Sequence, residues 1–225
     1  MDDLILIGAG GLAREVAAAV DAGDRYRIVG IVDDDRSLHG TRVAGRPVVG
    51  ALDQVLWDRT SQLVVCAGRG DVRQRIAERL AAHDIGRSRF ATIVHPSVHV
   101  PPSCFVGVGS VLLAHVALTA DARIGRHVVA MPNSTITHDD TVEDFATLCA
   151  GVSLAGGVTV AQGAYLGANA SVRQHLRVGR DSTLGMGATL LQDLPDGETW
   201  AGVPARPLGA ATPPMVAAGR VEEAS

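Results

Sequence analysis

The chain has 225 residues, 47% of them hydrophobic, which is enough to bury the core of one large domain or of two small ones. Its 20 basic and 24 acidic residues give a net charge of −4 and are scattered, so no basic surface for nucleic acid is predicted. No apolar run approaches the roughly 18 residues of a membrane-spanning helix. Three cysteines without CxxC spacing, and a first segment unlike a signal peptide, lead us to expect a cytoplasmic protein with no membrane insertion.

The first part of the chain alternates short apolar runs with amphipathic stretches, in the order typical of a small parallel α/β sheet. The runs that predict strands are Leu4–Ile7, Ile28–Val32 and Leu63–Ala67, and the stretches that predict helices are Leu12–Val20 and Val72–Ala82. We therefore predict a Rossmann-like domain over residues 1–88.

A glycine-rich turn, Gly8-x-Gly10-x-x-Ala13, joins the first predicted strand to the first predicted helix. Backbone N–H groups and the helix dipole at such a turn favour an anion such as a diphosphate. Asp33 and Asp34 follow the next strand, where a carboxylate can accept hydrogen bonds from a ribose or a base. The segment holds only about half of a complete dinucleotide domain, so a nucleotide sugar fits it better than NAD. A tight turn without any ligand is the alternative that the motif leaves open.

The hydrophobic period changes to six residues from Val94 onward. Sixteen of the seventeen residues found at every sixth position from 94 to 190 are branched aliphatics. Four positions after nearly all of them stands a small or compact residue, and between Val98 and Ala170 the one misfit is Asp140. A parallel β-helix produces this pattern, because each coil has three short strands joined by tight corners, with the aliphatic side chain inside. We predict between five and six coils over residues 89–207 and a flexible tail over residues 208–225.

Several motifs accompany the hexads, namely Gly8-Ala9-Gly10-Gly11-Leu12-Ala13-Arg14-Glu15-Val16, His138-Asp139, Leu154-Ala155-Gly156-Gly157-Val158 and Gly202-Val203-Pro204-Ala205-Arg206. Over residues 3–207 the chain resembles one group of hexapeptide-repeat acyltransferases. This group comprises the sugar acetyltransferases that include bacillosamine and perosamine N-acetyltransferases and sialic acid O-acetyltransferases. The resemblance implies a left-handed parallel β-helix, a homotrimer with acetyl-CoA between neighbouring subunits, and a nucleotide-linked amino sugar on the N-terminal domain.

The resemblance also implies two sets of binding residues. The nucleotide-sugar site would be lined by Gly10, Gly11, Leu12, Asp33, Asp34 and Gly68, although Leu12 stands where a histidine is common. The acetyl-CoA site would be lined by Thr147, Ala168 and Met186, where Thr147 replaces a frequent histidine and Met186 replaces a glycine.

His138 is the candidate general base. It lies outward on its strand, two residues after Ile136, and Asp139 and Asp140 follow it. Nearby carboxylates raise the pKa of an imidazole, and an amine or hydroxyl that attacks a thioester must lose a proton. In the resembling family an acidic residue at the position of Asp139 orients the base. Asp140 interrupts the pattern of small residues beside this pair, so we expect the catalytic site at this point of the β-helix. No Ser or Cys has a paired base, and Cys149 is expected near the coil interior, so direct transfer is predicted.

Three alternatives stay open. A γ-class carbonic anhydrase uses the same β-helix, but it needs three converging histidines, two of them at a fixed spacing that no pair here has, so no metal is expected. A non-catalytic trimer that only binds a nucleotide sugar is not excluded. The acceptor group is an amine or a hydroxyl, and the amine is favoured as the better nucleophile.

Overall fold

The computed structural model describes residues 1–58 and 60–210, which form an N-terminal α/β domain and a stack of β-helical coils. Most of the predicted tail, residues 211–225, lies outside the described residues. No helix in these two ranges is both long and apolar enough to cross a membrane.

The N-terminal domain is one five-stranded sheet with two α-helices. The sheet has the strand order β3-β4-β2-β1-β5, with the β1–β2, β2–β4 and β1–β5 pairs parallel and the β3–β4 pair antiparallel. The elements are β1 (Asp2–Ile7), α1 (Gly11–Asp21), β2 (Tyr26–Val32), β3 (Arg42–Val43), β4 (Arg46–Gly50), β5 (Gln62–Val65) and α2 (Gly70–Ala81). Single 3-10 turns cover Arg36–Leu38, Leu52–Leu56 and Arg87–Arg89.

The rest of the described chain winds into coils of three strands each. Most strands have two residues: β6 (Ile93–Val94), β7 (Phe105–Val106), β8 (Val111–Leu112), β9 (Ala117–Leu118), β10 (Arg123–Ile124), β11 (Val129–Ala130), β12 (Thr135–Ile136), β13 (Thr141–Val142), β14 (Thr147–Leu148), β15 (Ser153–Leu154), β16 (Thr159–Val160), β17 (Tyr165–Leu166), β18 (Ser171–Val172), β19 (Arg177–Val178), β20 (Thr183–Leu184) and β21 (Thr189–Leu190). The stack closes with β22 (Glu198–Ala201) and β23 (Arg206–Ala210), so the last strand enters the predicted tail.

These strands stack into three sheets, which are the three faces of the β-helix. Neighbouring strands in each sheet are parallel, except that β23 pairs with β22 in the antiparallel direction. Face 1 holds β7, β10, β13, β16 and β19; face 2 holds β6, β8, β11, β14, β17, β20, β22 and β23; face 3 holds β9, β12, β15, β18 and β21. Residues paired on one face are 18 positions apart, as in Arg123 with Thr141, so three hexads make one coil. The structure confirms the predicted fold class, an α/β domain followed by a left-handed parallel β-helix.

The corners between faces explain why the period is six. From residue 109 to residue 187 a residue with positive φ stands at every sixth position, and Asp139 (φ 63°) and Phe145 (φ 62°) are two of them. This left-handed conformation disfavours residues with a Cβ by about 1–2 kcal/mol. It persists because it turns the chain and aims the corner N–H at the coil above: the Asp139 N–H donates to the Ala120 carbonyl (3.1 Å).

The second residue of each short strand points inward and forms the core. From Leu112 to Leu190 these side chains are almost fully buried, whereas Val94 is 36% exposed because no earlier coil covers it. Face 2 contributes a second core: its outward side chains Val111 and Val129 join Leu12 and Val16 of α1 in one apolar cluster. The N-terminal domain therefore sits on face 2.

The core hexad positions are expected to carry the stability of the stack. Val160 is fully buried, so Val160→Ala should lower the free energy of unfolding by about 2–3 kcal/mol, the sum of two lost methyl groups and the cavity they leave. Denaturant unfolding measures this change. In the matched substitution Val49→Ala, on a strand side chain that is 51% exposed, the loss should stay below about 1 kcal/mol. Equal losses in the two variants would contradict the assignment of the core.

Candidate functional site

The carboxyl ends of β1, β2 and β5 meet at one edge of the N-terminal sheet. Because β1 is flanked by β2 on one side and β5 on the other, the strand order reverses here, and such a reversal opens a crevice for ligands. Gly8 begins the loop with φ +104°, and a Cβ on it would lie 3.1 Å from the Cys66 carbonyl oxygen. This edge brings together the predicted Gly10, Asp33 and Gly68 regions.

The glycine turn leaves the start of α1 open. Gly10 is the N-cap residue and makes no side-chain hydrogen bond, and a Cβ on Gly10 would meet nothing within 4 Å. Gly10 and Gly11 are both exposed. The first N–H groups of the helix therefore face open space, with the positive end of the helix dipole behind them, which is the arrangement that binds phosphate.

Asp33 and Asp34 brace the loops around this edge. Asp33 accepts hydrogen bonds from the Ala9 N–H (2.7 Å) and the Asp35 N–H (2.9 Å), which ties the end of β2 to the glycine turn. Asp34 accepts from the Leu52 N–H (3.0 Å) and from Arg79 (2.8 Å). The backbone hydrogen bond is the main cause that lowers the pKa of Asp34, so its carboxylate is charged at neutral pH.

Gly68 and Leu12, the other two residues predicted to bind the nucleotide sugar, differ in their solvent exposure. Gly68 is exposed, and its carbonyl accepts hydrogen bonds from Arg73 (2.9 Å) and Thr147 (3.0 Å). Leu12 is only 6% exposed and packs in the apolar cluster under α1. Its side chain is therefore part of the core and not of the open edge, because a leucine placed where the resembling family has histidine turns inward.

His138 and Asp139 form a hydrogen-bonded pair on the surface of the β-helix. They lie at the corner between face 3 and face 1, and the distance from His138 Nδ1 to Asp139 Oδ2 is 2.8 Å. A carboxylate only accepts hydrogen bonds, so Nδ1 carries the proton and Nε2 has the free lone pair. This hydrogen bond is the main cause that raises the pKa of His138. The arrangement is that of a general base with an oriented acceptor nitrogen.

Gly156 makes room for this imidazole. It lies one coil below His138, and a Cβ on Gly156 would come within 2.3 Å of the ring atoms Cε1 and Nε2. A residue with a Cβ in this position would force the ring to move. Gly156 is part of the Leu154–Val158 motif, and its spacing of one coil from His138 is the signal that indicates this contact in the sequence.

Asp140 has a structural role. It is fully buried, and its carboxylate accepts hydrogen bonds from the Thr137 N–H (2.7 Å) and the Val158 N–H (2.8 Å). Ser110 accepts from the Val128 N–H (3.0 Å) in the same way at another coil. Burial raises the pKa of Asp140. The break in the pattern of small residues therefore supplies an acceptor for a corner N–H inside the coil, and Asp140 is not part of an open site.

The three predicted acetyl-CoA residues do not lie together. Ala168 and Met186 occupy the corner between face 2 and face 3 on consecutive coils, and Met186 is 78% exposed. Thr147 is 1% exposed on face 2, and its hydroxyl accepts from Arg73 (2.9 Å) and donates to the Gly68 carbonyl. A side chain so enclosed has no surface left for a bound ligand, so Thr147 belongs to the contact between the domains.

Cys149 is buried, but not in the coil interior as expected. It follows the inward Leu148, so it points outward beneath the N-terminal domain, and the charge of Glu15 in α1 reaches it. Burial raises the pKa of its thiol, which disfavours a thiolate nucleophile.

Within residues 1–58 and 60–210, no three His, Cys, Asp or Glu side chains are grouped so that they could hold a metal ion.

Comparison with known proteins finds that this chain is similar to sugar N-acetyltransferases. The family described as the PglD N-terminal domain matches residues 3–80. A GDP-perosamine N-acetyltransferase from Escherichia coli is 28% identical over 176 residues, which cover 75% of this chain and 77% of the relative.

Two solved structures are similar over almost the whole chain. The first is a histidine-to-asparagine variant of perosamine N-acetyltransferase from Caulobacter crescentus in complex with CoA and GDP-perosamine. It has 32% identity and a TM-score of 0.83, and the match covers 93% of this chain and 98% of that one. The second is the acetyltransferase domain of PglB from Neisseria gonorrhoeae with acetyl coenzyme A. It also has 32% identity and a TM-score of 0.83, with coverage of 92% and 98%.

The hydrogen bond between His138 and Asp139 is testable by titration. We expect an NMR titration to give His138 a pKa above the ordinary value of about 6.5, and Asp139→Asn to lower this pKa because the charged acceptor is lost. Asp181→Asn, at a corner on another edge of the β-helix, serves as the control and should leave the titration unchanged. An Asp139→Asn variant that titrates like the parent protein would show that the pair does not form in solution.

Proposed function

Because the chain belongs to the family of sugar N-acetyltransferases that includes the perosamine N-acetyltransferases, we propose that it transfers an acetyl group from acetyl-CoA to an amino group of a nucleotide-linked sugar. The observation that carries this proposal is the pair of His138 and Asp139, in which Nε2 is free to accept a proton. Acetyl-CoA is the acyl donor. Because the three cysteines are free thiols, we place the reaction in the reducing cytoplasm.

The chemistry proceeds by direct attack in a ternary complex. The sugar nitrogen attacks the thioester carbonyl carbon while His138 Nε2 removes its proton, and the C–N bond forms. The C–S bond then breaks, and the departing CoA sulfur recovers the proton from the imidazolium. Asp139 stabilises the imidazolium between these two steps, in the way that a carboxylate orients the base of an acyl-transfer enzyme.

The N-terminal domain holds the nucleotide part of the substrate. The uncapped N–H groups of α1 after Gly10 and Gly11 suit the diphosphate. Asp33 and Asp34 fix the loops on either side of this position, and Gly68 closes its far side at the end of β5. GDP-perosamine, which the similar enzyme from Caulobacter crescentus binds, has the chemistry that this edge would accept.

A homotrimer completes the site. In one chain, face 3 separates the His138 corner from the corner of Ala168 and Met186. The outward strand residues of face 3 are small, and they are Ala117, Thr135, Ser153, Ser171 and Thr189. Small residues let copies of the chain approach closely through this face around a three-fold axis. Each His138 corner would then meet the Ala168 corner of the next chain, and acetyl-CoA would lie between them.

The role of His138 is tested by substitution. We expect His138→Ala to lower kcat by at least about a hundredfold, which is the contribution of a positioned base, while the affinity for CoA is retained. Thiol release from acetyl-CoA measures turnover, and the acceptors are a panel of UDP-, GDP- and dTDP-linked amino sugars. Near-normal turnover by His138→Ala would remove this residue from the mechanism.

The shared site is tested by mixing two inactive variants. Ala168→Trp should block acetyl-CoA at its corner, and His138→Ala should abolish the base. If the two residues act across an interface, refolding the variants together should restore part of the activity, because some interfaces then combine the intact His138 of one chain with the intact Ala168 of another. Refolding each variant alone is the control. A mixture as inactive as its components would mean that each site is built within one chain.

A further inference from the structure

Arg73 is the most deeply buried charged side chain at the contact between the two domains. It lies in the first turn of α2 and has no solvent exposure. Among the described residues, no carboxylate forms a salt bridge with it. Burial lowers the pKa of its guanidinium to about 10, so it keeps its charge at neutral pH. A buried cation without a paired anion is costly unless hydrogen bonds replace its water.

Six neutral oxygens on two different structural elements supply those hydrogen bonds. On the N-terminal domain, Nη1 donates to the carbonyls of Ala67 and Gly68, both at 2.9 Å. On the β-helix, Nε donates to the His127 carbonyl (2.8 Å). The two N–H groups of Nη2 are shared there among three acceptors, the carbonyls of Phe145 (2.7 Å) and Ala146 (2.9 Å) and the Thr147 hydroxyl (2.9 Å). One planar guanidinium therefore joins the end of β5 to two consecutive coils.

The contact around Arg73 is too close to shift easily. A Cβ on Gly70 would lie 2.1 Å from the Phe145 carbonyl oxygen, so the start of α2 rests directly on the corner. The His127 ring stacks on Phe145 with centroids 5.2 Å apart and meets the edge of Phe90 at 4.6 Å. Burial lowers the pKa of His127 to about 4, so this imidazole is neutral beside the Arg73 cation.

Thr147 closes the same network from the β-helix side. Its hydroxyl accepts from Arg73 and donates to the Gly68 carbonyl at 3.0 Å, so Gly68 receives one hydrogen bond from each domain. Gly68 lies at the edge of the sheet where the nucleotide sugar is proposed to bind. The position of this loop relative to the β-helix is therefore set by two buried side chains, Arg73 and Thr147.

We propose that Arg73, together with Thr147, is a positioning device for acetyl transfer: it fixes the Gly68 loop against the β-helix, and so holds the amino sugar in register with acetyl-CoA. The inference rests on the proposed function. A displacement of about 1 Å is enough to cost about a hundredfold in rate, so rigidity at this junction matters for catalysis as well as for folding. Lysine cannot replace Arg73 here, because its donors radiate from one point and do not form a planar fork.

The experiment uses Thr147, because Arg73→Met would leave the buried His127 and Phe145 carbonyls without their Arg73 donor and is expected to fold poorly. Thr147→Val removes the hydroxyl with little change in shape, and Thr147→Ser retains it. We expect Thr147→Val to lower kcat or raise KM for the nucleotide amino sugar by about tenfold, with KM for acetyl-CoA within about twofold of the parent value. Thr147→Ser should restore the parent values. Arg75→Met, on the exposed side of α2, is the control and should change neither constant.

The outcomes separate positioning from its alternatives. Unchanged constants in Thr147→Val would overturn the proposal, and a change confined to KM for acetyl-CoA would make Thr147 a CoA contact instead. Hydrogen exchange in the ligand-free protein gives a readout that needs no activity: amides of residues 68–70 should exchange faster in Thr147→Val than in Thr147→Ser. Equal exchange would also overturn the proposal. If the parent protein acetylates no amino sugar, the proposed function fails while the exchange experiment still tests this junction.

Discussion

The left-handed corner at every sixth residue is the constraint on which the rest of the structure depends. It turns the chain, and the hydrogen bond from the corner N–H to the coil above fixes the coil length at 18 residues. Residues that stack on one another are then those 18 positions apart in the sequence. His138 lies over Gly156 for this reason, and Asp139 occupies a corner from which its carboxylate reaches the imidazole. The proposed catalytic pair is thus a local consequence of the coil register.

A second consequence is that the two proposed tasks, nucleotide binding and proton transfer, fall to different parts of the chain. The N-terminal domain covers face 2, where Val111 and Val129 join its apolar core, and Arg73 anchors it at the adjoining corner. The edge proposed to bind the nucleotide therefore lies on a different side of the β-helix from His138 of the same chain. Face 1 separates the corner that Arg73 contacts from the corner that holds His138. This separation is the reason for proposing that a neighbouring chain completes the site.

The sequence predicted those features that repeat or that lie close together along the chain. The hexad period predicted the coils because it recurs many times, and the pair of His138 and Asp139 was predictable because its members are adjacent. Contacts between distant residues could not be read in this way. Arg73 meets Phe145 across 72 positions, and nothing in the pattern of α2 distinguishes it from the exposed Arg75. Asp140 looked functional because it is acidic, but its register position places it inside the coil.

The binding residues expected from the family resemblance show a related limit of prediction from sequence. A residue can hold the family position and still be buried, as Leu12 is in the domain core and Thr147 is in the domain contact. The most direct test of the whole account is a crystal structure of the assembled protein with CoA and the amino sugar nucleotide that it acetylates. The account predicts the sugar amine within about 3 Å of His138 Nε2 and the CoA sulfur beside Ala168 of the neighbouring chain. An amine that faces a different side chain, with His138 open to solvent, would contradict it.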